Sequence, residues 1–429
     1  MPIARSLSSF SGVGVTSILP VPNTRLLSDD DIGNPDKSDR DNLLSFYVGT
    51  KRGLMKKITM NTKRAAHNDD DVHIQFIEEE ETDGSKRKTP YPIFSMMSLS
   101  THHHDVVLSG SGNRYVTIWE QNKQQVPSWR IKAKLGPHTG WVKDLASSIS
   151  PYPVASVDDD PDKSKEEEET FLFSIGCNCI EVWKTVNGES FDHVHKLMID
   201  SSVEMGSTLS SDILCLATSP SYQQSSTQQT SSEKGKQQNH HSYYLLAGGV
   251  DGRIHQWTIC NNSFQDATVV CAPGHNGRVN ALLVCNDLRA AVSIGNDGLV
   301  KCWKLDRKET FMERSVCSVN VNDDEYILQE QEISSDEANP IKLTCTCIFD
   351  EKEDFTIIGI GTACGKVLLA EISKSNDDDD ATMSITLLYE RTAVDGGSTI
   401  HSIASQNNNI IIGHSKGISI WEPDLHNIS

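Results

Sequence analysis

The sequence predicts an all-β chain built from seven repeated small sheets, and three observations carry that prediction. Short apolar runs lead into a tight polar turn and then into an alternating strand that ends in tryptophan. The alternation has a period of two, which places every other side chain on one face of a strand. No segment shows a convincing helical period, and the unit recurs at the spacing of a repeat architecture.

Five copies end in Trp119, Trp183, Trp257, Trp303 and Trp421, and two degenerate copies place Ile58 and Ala370 in the same slot. Along the chain, the first unit spans about 14–80, with "SFYVGTKRGLMKKITM" between the flanking strands "GVTSILPV" and "VHIQFIE". The second, about 92–134, runs from "PIFSMMSLS" through "DVVLSGSGNRYVTIWE". The third, about 140–199, joins "WVKDLASS", "TFLFSIGCNCIEVWK" and "HVHKLMI". The fourth, about 211–272, joins "ILCLATS", "YYLLAGGVDGRIHQWT" and "ATVVCA". The fifth, about 277–333, has "VNALLVC" before "AAVSIGNDGLVKCWK". The sixth, about 340–391, joins "KLTCTCIF", "TIIGIGTACGKVLLAEI" and "SITLLYE", and the seventh, about 398–422, holds "TIHSIAS" and "NIIIGHSKGISIWE" and stops one strand short. Four short strands per unit, separated by glycine-containing turns, give repeated antiparallel sheets.

Composition narrows the function classes. A hydrophobic fraction of 37% is low for an enzyme of this length and points to a folded body carrying long polar loops. The net charge of -20 argues against direct binding to nucleic acid or to anionic membranes, while basic partners stay open. No apolar run reaches the length of a membrane-spanning helix. Eleven cysteines, an odd number lying mostly inside apolar runs, read as buried reduced thiols and suggest the cytoplasm or nucleus.

The repeats resemble the WD-repeat (WD40) family of β-propellers over nearly the whole chain. The stretch "GHNGRVNALLVCNDLRAAVSIGNDGLVKCWKL" carries the family's Gly-His, Ser, Asp-Gly and Trp positions. Other copies depart from it: Trp is followed by Glu, Lys or Thr and never by Asp. The resemblance implies a single seven-bladed β-propeller. It also implies that residues 2–9 supply the outermost strand of the last blade and close the ring, since an open ring would leave exposed edges that template aggregation. "MPIARSLSSFSGVGVTS" is also Ser-rich, acid-free and Arg-bearing, so residues 1–20 have the alternative reading of an organelle transit peptide.

Low-complexity insertions over 21–41, 149–169, 219–242 and 373–382 fall where the connections of an up-and-down blade emerge on one face. That face is expected to be acidic. It reads either as a dock for a basic partner or as a solvating fringe of disordered loops.

The resemblance assigns His275, Ser293, Asp297 and Trp303 to a structural tetrad, a buried polar staple rather than a hydrolase triad. Catalysis would need an exposed nucleophile and an oxyanion hole, which a tight Asn-Asp-Gly turn does not supply. His138, Ser174, Asn178 and Trp183 form a partial copy, and Ser109 and Trp119 a smaller one. No catalytic residue, cofactor or metal is expected. "THHHD", "HVH", "CNC" and "CTC" lack the spacing of a zinc knuckle, and Cys345 and Cys347 share one strand face as core positions.

The expected function is a noncatalytic scaffold for protein–protein interactions within a larger complex. The alternative is a substrate receptor of a ubiquitin ligase, a role that resemblance ties to Arg three residues after the tryptophan. Here Asn122, Val186, Cys260, Asp306 and Asp424 stand there. A propeller enzyme with a metal or quinone in the channel is a further reading, without a legible ligand set. Residues just ahead of the inner strands and beside the tight turns line the mouth of the ring opposite the acidic loops. Thr139, Trp141, Cys177, Asn276, Arg278 and Asn296 are the expected partner contacts.

Overall fold

In the computed structural model, seven antiparallel sheets form the blades of a β-propeller. The structure describes residues 5–6, 14–21, 43–61, 72–77, 91–100, 105–122, 128–148, 169–186, 188–199, 212–220, 222–224, 240–260, 262–305, 317–321, 340–374, 383–393 and 397–423. Blade one is Val15–Pro20, Leu43–Thr50, Met55–Asn61 and Val72–Ile77, ordered from the channel outward. Each following blade repeats this meander, with innermost strands Ile93–Ser100, Leu145–Ser147, Ile213–Thr218, Val279–Cys285, Leu343–Glu351 and Ile400–Gln406. In blade seven, Gly417–Trp421 pairs on its outer side with Arg5–Ser6, in the register Arg5 to Ile420 and Ser6 to Ser419. The N-terminal strand therefore supplies the fourth, outermost strand of the last blade and closes the ring.

The core lies in the seams. Seven apolar clusters each join two neighbouring blades. The tryptophan slot always faces the preceding blade: Trp119, Trp183, Trp257, Trp303 and Trp421 do so, as do Ile58 and Ala370. That is why the slot repeats in the sequence. A single blade cannot bury both faces, so an apolar side chain in this slot packs into the seam with the neighbour, and in five of the seven blades it is tryptophan.

Polar bonds tie the innermost strands across the same seams. Thr16 donates to Ile93 O, Asn280 Nδ2 to Leu343 O at 2.6 Å, and Thr344 Oγ1 to Ile400 O at 2.7 Å. Ile18 N donates to Ser402 Oγ at 3.0 Å, and Leu216 N to Asp144 Oδ2 at 2.9 Å.

Two elements differ from the sequence reading. The third innermost strand is only Leu145–Ser147, because Asp144 turns its carboxylate onto Leu145 N at 2.9 Å and Leu216 N, while Val142 N is taken by Ser111 O of blade two at 3.1 Å. The insertion expected over 219–242 is partly strand: Tyr222–Gln224 pairs with His240–Gly249 and gives blade four a fifth strand. The residues between them, and nearly all of the acidic insertions, lie outside the described residues, as do His102, His103 and His104. No helix among the described residues is long and apolar enough to cross a membrane.

Candidate functional site

Blade five carries a continuous hydrogen-bond chain. Trp303 Nε1 donates to Ser293 Oγ at 2.9 Å, the Ser293 hydroxyl donates to His275 Nε2 at 2.7 Å, and His275 Nδ1 donates to Asp297 at 2.9 Å. Asp297 also accepts Asn276 N at 2.8 Å and Leu299 N at 3.2 Å. Burial pushes the Asp297 carboxyl up, but the bond and charge of His275 and the two backbone donors outweigh it and hold the group below its ordinary range.

The wiring of Ser293, His275 and Asp297 is that of a serine-hydrolase triad, and its placement separates it from one. Ser293 has no exposed surface, the His275 side chain has none either, and the serine oxygen is already capped by the Trp303 indole. A nucleophile must be reachable by a carbonyl carbon, and this hydroxyl is sealed between strands. Its hydrogen bonds instead clamp the strands Ala290–Gly295 and Leu299–Lys304 to the Gly-His loop. Gly274 N and His275 N both bond Gly252 O of blade four at 2.9 Å, so the same loop clasps the neighbouring blade. Gly252 has φ +81° and a Cβ there would meet His275 O at 2.2 Å, so only glycine fits.

The partial copy is wired differently. His138 Nε2 accepts from Ser174 at 2.7 Å and Trp183 Nε1 donates to Ser174 at 2.9 Å, but His138 Nδ1 bonds the Arg114 carbonyl of blade two at 3.1 Å rather than Asn178. With no carboxylate in its turn, blade three takes its acceptor from the neighbouring backbone. Blade two keeps only Trp119 Nε1 to Ser109 Oγ, at 2.9 Å. Blade seven has a variant that the repeat pattern does not reveal: His414 sits in the strand itself and bonds Ser419 at 3.1 Å, and burial with nearby Lys416 lowers it to about 4. Cys345 and Cys347 pack against the seam of blades six and seven, and burial raises both thiols to about 12. No group of three or more metal-ligating side chains converges among the described residues.

The six mouth residues divide into two kinds. Thr139, Asn296 and Cys177 have structural contacts. Thr139 Oγ1 donates to Gly176 O at 2.6 Å, Asn296 Oδ1 accepts from Asn280 at 2.7 Å, and Cys177 takes φ +61° at the tip of its turn against Gly140. Asn276, Arg278 and Trp141 present exposed side chains. Trp141 is 56% exposed, and it stacks on Phe94 of blade two at 5.5 Å and 22° rather than folding over its own blade. Tyr91, 52% exposed, lies nearby: a Cβ on Gly112 would sit 3.6 Å from both the Tyr91 Cβ and the Phe94 ring. Phe94 and Tyr91 escaped sequence reasoning because the residues just before and just inside an innermost strand look alike in every blade. Trp141 and Arg278 occupy equivalent positions, immediately ahead of Val142 and Val279, with blade four and its Asp212 between them.

No protein family and no curated protein matches the sequence. Among solved structures, the chain is similar to the RRP9 WD40 repeats, with a TM-score of 0.56 and 13% identity over 97% of this chain and 98% of that one. It is also similar to U3-55K, with a TM-score of 0.57 and 14% identity over the same shares of the two chains. At these identities the likeness shows the fold: a seven-bladed β-propeller.

Proposed function

We propose that this chain is a noncatalytic propeller scaffold that holds a protein partner on the channel mouth formed by the strand-two-to-three turns and the loops ahead of the innermost strands. The observation that carries the reading is Trp141. A large aromatic side chain more than half exposed is costly to leave in water, and here it is pre-positioned by stacking on Phe94. Interfaces concentrate binding energy in such anchors. The Ser293–His275–Asp297 chain serves the scaffold in this reading by holding blade five to blade four. The likeness to RRP9 and U3-55K supports a propeller surface and leaves the partner to be identified.

The test is a paired variant, Trp141→Ala with Arg278→Ala, recovered from the native organism by affinity purification. Loss of the main partner with an unchanged circular dichroism spectrum is the expected result. Undiminished recovery, with loss instead on deleting residues 155–169, moves the partner to the opposite face and refutes the placement.

A further inference from the structure

Two cysteines of blade five face each other across neighbouring strands. Cys302 lies in Leu299–Lys304, the third strand of the blade, and Cys317 opens the outermost strand, Cys317–Asn320. The strands are antiparallel, and their register sets Cys302 directly opposite Cys317. Opposed residues of an antiparallel pair put their side chains on one face, with Cα atoms about 4.5 or about 5.5 Å apart. Both separations lie inside the window of about 4.4–6.8 Å that a disulfide spans. Among the described strands no other two cysteines are opposed in this way.

Both residues are thiols in the structure, and both belong to the seam of blades five and six. Cys302 is buried in that seam, with its Sγ 3.7 Å from Met383 Sδ of blade six, while Cys317 packs against the same cluster and is half-buried. The side-chain hydrogen bond from Cys302 outweighs burial at Cys317 and holds that thiol below its ordinary range, and the same bond together with burial pushes Cys302 up. One partner therefore ionises readily near the surface, and the other keeps its proton inside. Cys345 and Cys347 offer a contrast, because they follow each other on one strand and burial raises both to about 12, so neither supplies a thiolate near neutral pH.

We propose that Cys302 and Cys317 form a peroxide-sensitive modification site, in which oxidation joins the third and outermost strands of blade five through a disulfide. The Cys317 thiolate attacks one oxygen of hydrogen peroxide, the O–O bond breaks, and the departing hydroxide takes up a proton as water, leaving a sulfenic acid on Cys317. The Cys302 sulfur then attacks the Cys317 sulfur, the S–O bond breaks, and the Cys302 proton leaves with that hydroxide as a second water. Two thiols and one peroxide give one disulfide and two waters, the two sulfurs losing the two electrons that the peroxide oxygens gain. The bridge encloses the fourteen residues between the two cysteines and so restricts the unfolded chain. It also pins the start of a four-residue edge strand that pairs with one neighbour only.

The experiment is peptide mapping of the full chain. Trypsin cuts after Lys301, Lys304, Arg314 and Lys342 and releases 302–304 and 315–342, each with a single cysteine. The reduced chain is treated with hydrogen peroxide in native buffer, remaining thiols are blocked with N-ethylmaleimide, and the digest is analysed by mass spectrometry without reductant. The expected product is 302–304 joined to 315–342 with loss of two hydrogens, formed before any other linkage and released by dithiothreitol. Cys302→Ala should stop at a Cys317 sulfenic acid that dimedone traps. The urea midpoint of the oxidised chain should exceed that of the reduced chain, and Cys317→Ser should show no such difference. The linkage is read in the unaltered chain, so a variant that fails to fold does not decide the outcome. Failure of the linked product to form in the folded chain overturns the proposal, as does linkage that appears only in urea or first between other cysteines. A dimedone adduct on Cys317 in the unaltered chain without linkage overturns the pairing, and equal midpoints for oxidised and reduced chain overturn the pinning of the strand.

Discussion

Replacing Asp297 with alanine is expected to destabilise the chain by about 2–3 kcal/mol, most of it from one stranded proton. His275 Nδ1–H donates to Asp297, and the His275 side chain has no exposed surface, so the imidazole loses its acceptor while still buried. An unsatisfied buried donor costs about 1–3 kcal/mol. Asn276 belongs to an exposed residue whose N–H regains water and adds little, while Leu299 N in the tight turn is half-buried and adds up to about 1 kcal/mol. Asp251 supplies an internal control. It holds the same turn position in blade four and caps Arg253 N at 3.1 Å, but the serine slot there is Ala247, so Asp251→Ala should cost less than about 1 kcal/mol. The assay is urea unfolding followed by tryptophan fluorescence, comparing midpoints of Asp297→Ala, Asp297→Asn and Asp251→Ala, with Asn intermediate because its carbonyl oxygen accepts one bond. Equal midpoints for Asp297→Ala and Asp251→Ala would refute the reasoning, since the cost would then come from the turn rather than from the buried imidazole. The pH dependence has a defined sign. The folded Asp297 carboxyl titrates below its unfolded value, so its contribution is present above about pH 4 and is lost as the pH falls through the folded value.

Other outcomes follow from the same geometry. Burial pushes the Asp144 carboxyl up to about 6 against the pull of its two backbone donors, so this group costs stability at neutral pH and the chain should gain stability as the pH falls from about 6 towards 4. Asp144→Asn should flatten that part of a midpoint-versus-pH plot, and an unchanged slope would assign it to another group. Deleting residues 1–10 removes the partner of Gly417–Trp421 and leaves an unpaired edge, so size-exclusion chromatography with light scattering should show association and melting should occur at lower temperature. A monomer with full stability would show that the two-residue pairing contributes nothing to closure.

The sequence by itself determined the fold because a propeller blade is a local object. Apart from the N-terminal strand of blade seven, each meander joins strands that follow one another in the chain, its register is set by alternation and tight turns, and the slot facing the previous blade holds a tryptophan in five of the seven repeats. Even Ala370, with no aromatic character, could be placed by that frame, and the seam of blades five and six is where it lies. His275, Ser293, Asp297 and Trp303 were legible for the same reason, since the spacing of one repeat brings all four to one blade. What the tertiary structure decided is every contact made between blades. His138 turns to the Arg114 carbonyl instead of Asn178, Asp144 leaves its own strand to hold Leu216, and Trp141 lies on Phe94 rather than on its own sheet. These choices depend on how two separately folded meanders meet, which no pattern within a repeat encodes.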